Sequence, residues 1–279
     1  MKKLVAIMFV AITAITLASC GSSYKVDGKF TAFEVSVHSN NAAMVTWVDV
    51  TIKDGKVESY YIDARQGKIV DGAQVWNEKT KKELKEDYGM AGKSAIGKEW
   101  YEQAETLEAY FLEKGPEKVT TNADGYIDNV TGVSVKDGGY TKLAKEALEN
   151  AKKGVTTAFE VSVHSKNAAM ITWVNVTVKS GKVTAYYIDA RQGKIVDGAQ
   201  VWNEKTKKEL KEDYGMAGES AIGKEWYEQA ETLEAFFLSD GPDKVTTNEG
   251  KYIDNVTGVS VKDGGYTTLA KAALKKVGK

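Results

Sequence analysis

Ala43-Met44-Val45-Thr46-Trp47-Val48-Asp49-Val50-Thr51-Ile52-Lys53-Asp54-Gly55-Lys56-Val57-Glu58-Ser59-Tyr60-Tyr61-Ile62 is the stretch that decides the fold. Its apolar positions alternate and are rich in β-branched and aromatic residues, the pattern of a strand with one face on a core. Asp54-Gly55 interrupts that pattern with a dipeptide suited to a tight turn, so Ala43–Lys53 and Val57–Ile62 are expected to form a hairpin. Upstream, Thr31–His38 alternates in the same way and adds a strand. Downstream, Asn77 to Tyr88 is rich in Lys, Glu and Leu and predicts a helix stopped by Gly89. A second helix is expected from near Ser94 to Glu113, with Trp100, Ala104, Leu107 and Phe111 forming one apolar stripe. Short apolar segments near Val119 and at Tyr126–Val130 precede a last helix from Thr141, with Leu143, Ala147 and Leu148 inward. Strands expected at both ends of the copy, with helices between them, suggest an α+β fold with helices packed against an antiparallel sheet.

The whole pattern occurs twice. Shifted by 126 positions, Thr31–Leu148 falls on Thr157–Leu274, and 17 of the 118 aligned pairs differ. That period is too long for one turn of a solenoid, so each copy is expected to be a domain with its own core. The expected organisation is a leader at 1–20, a tether at 21–30, one domain at 31–150, a linker at 151–156 and a second domain at 157–279.

Net charge is −1, from 38 basic and 39 acidic residues, which leaves no electrostatic footprint for nucleic acid. Lys2 and Lys3 precede an uncharged apolar run from Leu4 to Ala18, too short for a confident membrane span and read as an export signal. It ends Leu17-Ala18-Ser19-Cys20, which resembles the bacterial lipobox, so Cys20 is expected to carry a lipid and hold the chain on the outer face of the cell membrane. Gly21-Ser22-Ser23 suits a flexible tether. Cys20 is the only cysteine, which excludes disulfides within the chain, cysteine-ligated zinc, iron–sulfur centres and a CxxCH haem site.

Asp128-Asn129-Val130-Thr131-Gly132-Val133-Ser134 returns unchanged as Asp254-Asn255-Val256-Thr257-Gly258-Val259-Ser260. It resembles the flavinylation motif of the FMN-binding domain family, Asp-x-x-Ser/Thr-Gly-Ala-Ser/Thr, whose members include lipid-anchored, two-domain extracellular electron-transfer flavoproteins of Gram-positive bacteria. In that family an FAD-dependent FMN transferase joins the FMN phosphate to the motif's last hydroxyl. The resemblance implies two covalent FMN groups per chain, on Ser134 and Ser260. Asp128, Thr131 and Gly132, with Asp254, Thr257 and Gly258, would then be recognition elements. Val133 and Val259 stand where the family usually has Ala.

The likeness extends to Tyr88-Gly89-Met90 and Ser94–Trp100. Tyr88, Met90 and Trp100, with Tyr214, Met216 and Trp226, are therefore candidates for a flavin pocket, since aromatic faces and thioether sulfur suit a flat polarizable ring. Lys136–Gly139 and the following helix start offer backbone N–H groups that suit a phosphate. His38 and His164 read as exposed strand-end residues or as groups tuning a flavin. Asp63-Ala64-Arg65 and its repeat Asp189-Ala190-Arg191 read as a local ion pair, with contact of Arg65 to phosphate or a flavin carbonyl as the alternative.

An electron carrier is the first function these residues imply, with FMN transferase and membrane lipid as partners and the redox donor and acceptor unspecified. No Ser-His-Asp arrangement or metal cluster marks a self-contained enzyme. The alternative is a cofactor-free surface lipoprotein that binds a small molecule or protein through its sheet. In a third reading the released signal segment has its own role as a peptide pheromone.

Overall fold

A computed structural model describes residues 24–279. The leader, Cys20 and residues 21–23 of the tether lie outside the described residues. Two four-stranded antiparallel sheets, each with helices packed against it, build an α+β fold in two similar halves. The first sheet has β1 (Gly28–Val37), β2 (Ala43–Lys53), β3 (Lys56–Val70) and β4 (Ala73–Trp76) in sequence order. The second repeats it with β5 (Val155–Val163), β6 (Ala169–Lys179), β7 (Lys182–Val196) and β8 (Ala199–Trp202). Asp54 and Gly55 close the β2–β3 hairpin with φ of 51° and 68°. Both are positive, as a two-residue turn matching the right-handed twist of the strands requires. β1 starts at Gly28, so the last residues expected in the tether already belong to the sheet.

Along β2, Val48, Val50 and Ile52 point into the helix-covered core. The other face carries Trp47, paired across the ladder with Phe33. That face is covered by the second half: the rings of Phe33 and Phe159 lie 4.9 Å apart, and Trp47 and Trp173 meet Phe159 and Phe33 edge-on. Helix, sheet, sheet and helix thus stack in layers. The contact is reciprocal. The indole N–H of Trp76 donates to the Ser162 carbonyl at 2.9 Å, and that of Trp202 donates to the Ser36 carbonyl at 2.9 Å. Gln74 N to Asn167 O and Gln200 N to Asn41 O repeat the symmetry at 2.8 Å each. Each surface therefore meets its own counterpart, the hallmark of an isologous interface.

The first expected helix is much shorter than 77–88. Thr80 caps α1 (Lys81–Leu84) in a capping box with Glu83, and a 3-10 turn at Lys85–Tyr88 follows a positive φ of 48° at Lys85. The break lets Lys81 bury against Tyr88 and Trp100 while Lys82 reaches Glu108 at 2.5 Å. Gly89 ends the turn in the left-handed conformation, as expected. α2 (Trp100–Lys114) starts six residues later than Ser94. The Glu99 carboxylate at its cap accepts from Met90 N and Ala91 N at 2.8 and 2.9 Å, which pins the preceding segment as a loop. The stripe of Trp100, Ala104, Leu107 and Phe111 is buried as expected. Truncating Phe111 to Ala would cost about 3–5 kcal/mol.

Val119 lies in no strand, and Tyr126 and Ile127 make only isolated bridges, to Lys136 and Thr121. α3 (Tyr140–Lys153) runs to Gly154 and β5 begins at Val155, so residues 151–156 are helix end and strand start rather than a linker. The left-handed φ of Gly154, 69°, turns the chain at once, and its carbonyl accepts from Val178 N at 2.8 Å. In the second half α4 (Lys207–Leu210), α5 (Trp226–Ser239) and α6 (Tyr266–Lys275) occupy the equivalent places.

Candidate functional site

Ile127, Val130 and Val133 are buried and anchor the first heptad to the core, leaving Thr131 exposed between them. Val133 N donates to Val130 O at 3.1 Å, closing a tight turn with Gly132 at a φ of 88°. Few residues other than glycine adopt that angle without strain. A Cβ at Gly132 would also stand 3.3 Å from Lys98 Nζ. Asp128 is exposed, and its carboxylate accepts from Thr120 Oγ1 at 2.6 Å, so its observed part is to fix the turn. Asp254 does the same with Thr246, and Gly258 repeats the φ of 88° with Thr257 exposed beside it.

The turn delivers Ser134 half-buried to a network that the sequence reading missed. Gln103, on the buried stripe of α2, is 0% exposed. Its Oε1 accepts from Ser134 N at 2.7 Å and from Ser134 Oγ at 3.2 Å. Its Nε2 donates to Ser94 Oγ at 3.0 Å and to Lys98 O at 3.1 Å. Ser94 Oγ lies 3.4 Å from Ser134 Oγ. Ser260, Gln229, Ser220 and Lys224 form the same network in the second half. The sequence did carry a signal, a polar Gln three positions after Trp100 on an apolar helical stripe, because a buried amide demands partners.

Ser134 opens onto a cleft of about 590 Å³ lined by Met90, Lys93, Ser94, Tyr126 and Lys136. Ser260 opens onto one of about 630 Å³ lined by Met216, Glu219, Ser220, Tyr252 and Lys262. Both volumes fall in the usual range for small-molecule and cofactor sites. The Lys136 ammonium stands 5.1 Å from the Tyr126 ring centre, and Lys262 stands 5.2 Å from that of Tyr252. A hydroxyl, a cation and an aromatic face are a donor set that fits a phosphate joined to a planar ring. A larger cleft of about 720 Å³ lies between the halves, lined by Phe33, Lys142, Trp173 and Arg191 among others, but neither heptad reaches it.

Met90 and Met216 thus reach the clefts, while Tyr88 and Trp100 do not line the first and Tyr214 and Trp226 do not line the second. Trp100 is 3% exposed and belongs to the core, donating its indole N–H to Tyr140 Oη at 3.1 Å. Burial pushes the Tyr140 phenol up to about 12. Tyr88 and Trp100 instead meet edge-on, with ring centres 6.5 Å apart, and the Lys81 ammonium lies 5.2 Å from each ring centre. Burial pulls this ammonium down to about 8, and the nearby Asp63 carboxylate opposes the shift.

The start of α3 is not open to a phosphate, because Asp137 accepts from Thr141 N at 2.9 Å and already supplies the negative charge that the helix end favours. Asp263 does so for Thr267 at 3.0 Å. Asp63 and Arg65 form no pair either. Asp63 accepts from Ala64 N, Lys82 N and Tyr61 Oη, while Arg65 donates to Glu78 O at 3.1 Å. His38 sits in the turn after β1, where partial burial lowers its pKa, and His164 Nε2 lies 2.9 Å from Gly193 O.

Among the described residues no cluster of His, Cys, Asp and Glu could hold a metal ion, and no helix is long and apolar enough to cross a membrane. No protein-family model matches the chain, and no curated protein matches it. Among solved structures, a solution NMR structure of a protein from Clostridium thermocellum is 27% identical, covering 46% of this chain and 92% of its own. Its TM-score is 0.31, too low to carry an argument about fold or function.

Proposed function

We propose that the chain is a membrane-anchored extracellular electron carrier with FMN joined covalently to Ser134 and Ser260. The observation that carries this reading is the position of the repeated heptad, which sets its last hydroxyl at the floor of a cleft with a lysine at hand, once in each half. The flavin, once attached, supplies the redox chemistry. The chain's own residues do the rest. Ser134 and Ser260 are the attachment points, Lys136 and Lys262 balance phosphate charge, and Met90 and Met216 offer polarizable walls. Attachment needs an FMN transferase, and lipid on Cys20 would keep both clefts outside the cell.

The test is fluorescence on a denaturing gel after co-expression with an FMN transferase. A phosphoester survives denaturation, whereas a bound flavin washes away. Yellow fluorescence that persists in the wild type and vanishes in Ser134→Ala/Ser260→Ala supports the reading. A second reading, a cofactor-free binding protein, takes its support from Val133 and Val259 at the position where the motif usually has Ala, and a dark wild-type band favours it.

A further inference from the structure

We infer that Gln103, and Gln229 in the second half, are positioning residues that present the motif's last hydroxyl for phosphoester formation; this rests on the proposed flavin attachment. Every polar group of the Gln103 side chain is engaged. Oε1 takes both the N–H and the hydroxyl of Ser134, at 2.7 and 3.2 Å, so backbone and side chain of one residue are held by one atom. Nε2 gives its two protons to Lys98 O and Ser94 Oγ, at 3.1 and 3.0 Å. Because Ser134 N can only donate and Lys98 O can only accept, the amide has one permitted orientation.

That orientation dictates what the hydroxyl can do. With its proton given to Gln103 Oε1 and one lone pair 3.4 Å from Ser94 Oγ, Ser134 Oγ keeps a second lone pair for the cleft that it lines. In the attachment step, Oγ forms a bond to the flavin-side phosphorus of a flavin adenine dinucleotide. The bond from that phosphorus to the bridging oxygen breaks, and AMP leaves with the electron pair. The serine proton passes to a base on the transferase or to water, since an amide oxygen is too weak a base to keep it. Gln103 touches no reacting phosphorus; it fixes the direction of the nucleophile, the kind of preorganisation that converts a loose encounter into a near-attack arrangement.

Packing alone does not account for a glutamine here. The stripe of α2 is otherwise apolar, the helix start is capped by Glu99 and Glu102, and burying an amide is unfavourable unless it is fully bonded. Among the described residues, the Gln103 side chain is bonded only to Ser134, Ser94 and Lys98. The second half keeps Gln229 Oε1 at 2.7 and 3.2 Å from Ser260 N and Oγ, and Nε2 at 3.1 Å from both Ser220 Oγ and Lys224 O.

The experiment uses the full chain with Ser260→Ala, so that mass gain reads the first site alone. Gln103→Leu and Gln103→Glu are compared with this parent for kcat and KM of mass gain with purified transferase and flavin adenine dinucleotide. Near-UV circular dichroism reports the fold. Gln103→Leu should lower kcat by about tenfold or more with KM little changed. Gln103→Glu, which still accepts both Ser134 bonds, should recover part of the loss. A folded Gln103→Leu protein modified at the parent rate would overturn the proposal, and if that variant does not fold, a folded Gln103→Met protein, which also lacks the amide acceptor, overturns it by showing parental kcat. Failure of the flavin reading itself is distinct: the parent would gain no mass at all.

Discussion

The ammonium of Lys276 donates to the hydroxyl of Thr31, 245 positions earlier, at 2.7 Å, and at the same distance to the carbonyl of Thr157. The last turn of the chain thus ties together the first strands of both halves. In the first half the equivalent residue is Asn150, which reaches Thr31 O at 3.0 Å. Its neighbourhood differs to match: Asp49 accepts from Thr31 at 2.5 Å, whereas Asn175 stands opposite Thr157. Burial pulls the Lys276 pKa down, and Asp49 opposes that shift. Lys276→Met should therefore remove both bonds and the charge facing Asp49, destabilising the chain by about 1–3 kcal/mol in urea unfolding. An unchanged midpoint and slope would show that the tie contributes nothing.

The junction between the halves should tolerate little. A Cβ at Gly154 would come within 2.2 Å of the Val178 carbonyl oxygen, at a φ of 69°. Both the backbone angle and the contact oppose a side chain, so Gly154→Ala should lower stability by at least about 1–3 kcal/mol. Thermal unfolding measures this directly. A flexible linker at 151–156 would instead accept the change with no shift.

Stability should vary with pH through Lys81. Its folded-state pKa, about 8, lies below the ordinary lysine value of 10.5. Between these values the unfolded chain binds more protons, so this group adds stability as pH rises from about 8 toward 10.5 and adds nothing further below pH 8. The full effect is bounded at about 3 kcal/mol. Above about pH 10 the buried Tyr140, with its pKa raised, acts in the opposite sense, because tyrosine ionises first in the unfolded chain. Urea unfolding of wild type against Lys81→Met from pH 7 to 10 should show a stability difference that moves in favour of the wild type. A constant difference would contradict the burial of the charged form.

What the sequence made legible was local. The Asp54-Gly55 turn, the alternation in β2, the Trp100 stripe and the Gly89 stop each depend on neighbours in the chain. What it hid depends on residues far away. The helix expected over Asn77–Tyr88 breaks because Lys81 and Lys82 find partners on α2, and the helix expected from Ser94 starts late because Glu99 turns back to cap Met90 and Ala91. The outer face of β2 reads as a strand face, and only the reciprocal packing of Phe33 and Phe159 says what covers it. At the site, the hydroxyl of Ser134 was legible from its motif. The role of Gln103 is hidden in the sequence, because its partners lie 31 positions later and in a loop, Ser94–Lys98, whose residues read as the start of a helix.

The two clefts should not load alike. Lys93 lines the first where Glu219 lines the second, beside the shared Lys136 and Lys262. An anionic flavin nucleotide is attracted at one rim and repelled at the other, with a modest, salt-dependent difference because both side chains are exposed. Peptide-resolved mass spectrometry over a time course should find Ser134 modified before Ser260, and Glu219→Lys should bring the two rates together. Equal rates in the wild type at low salt would count against electrostatic selection at the rims.

The intact mass of the full chain co-expressed with an FMN transferase tests the central claim most directly. The account predicts two added FMN groups in the wild type, one in Ser134→Ala, one in Ser260→Ala and none in the double variant, with the fold retained since a half-exposed hydroxyl contributes little to stability. A wild-type mass with no added FMN, in the presence of an active transferase, would contradict it.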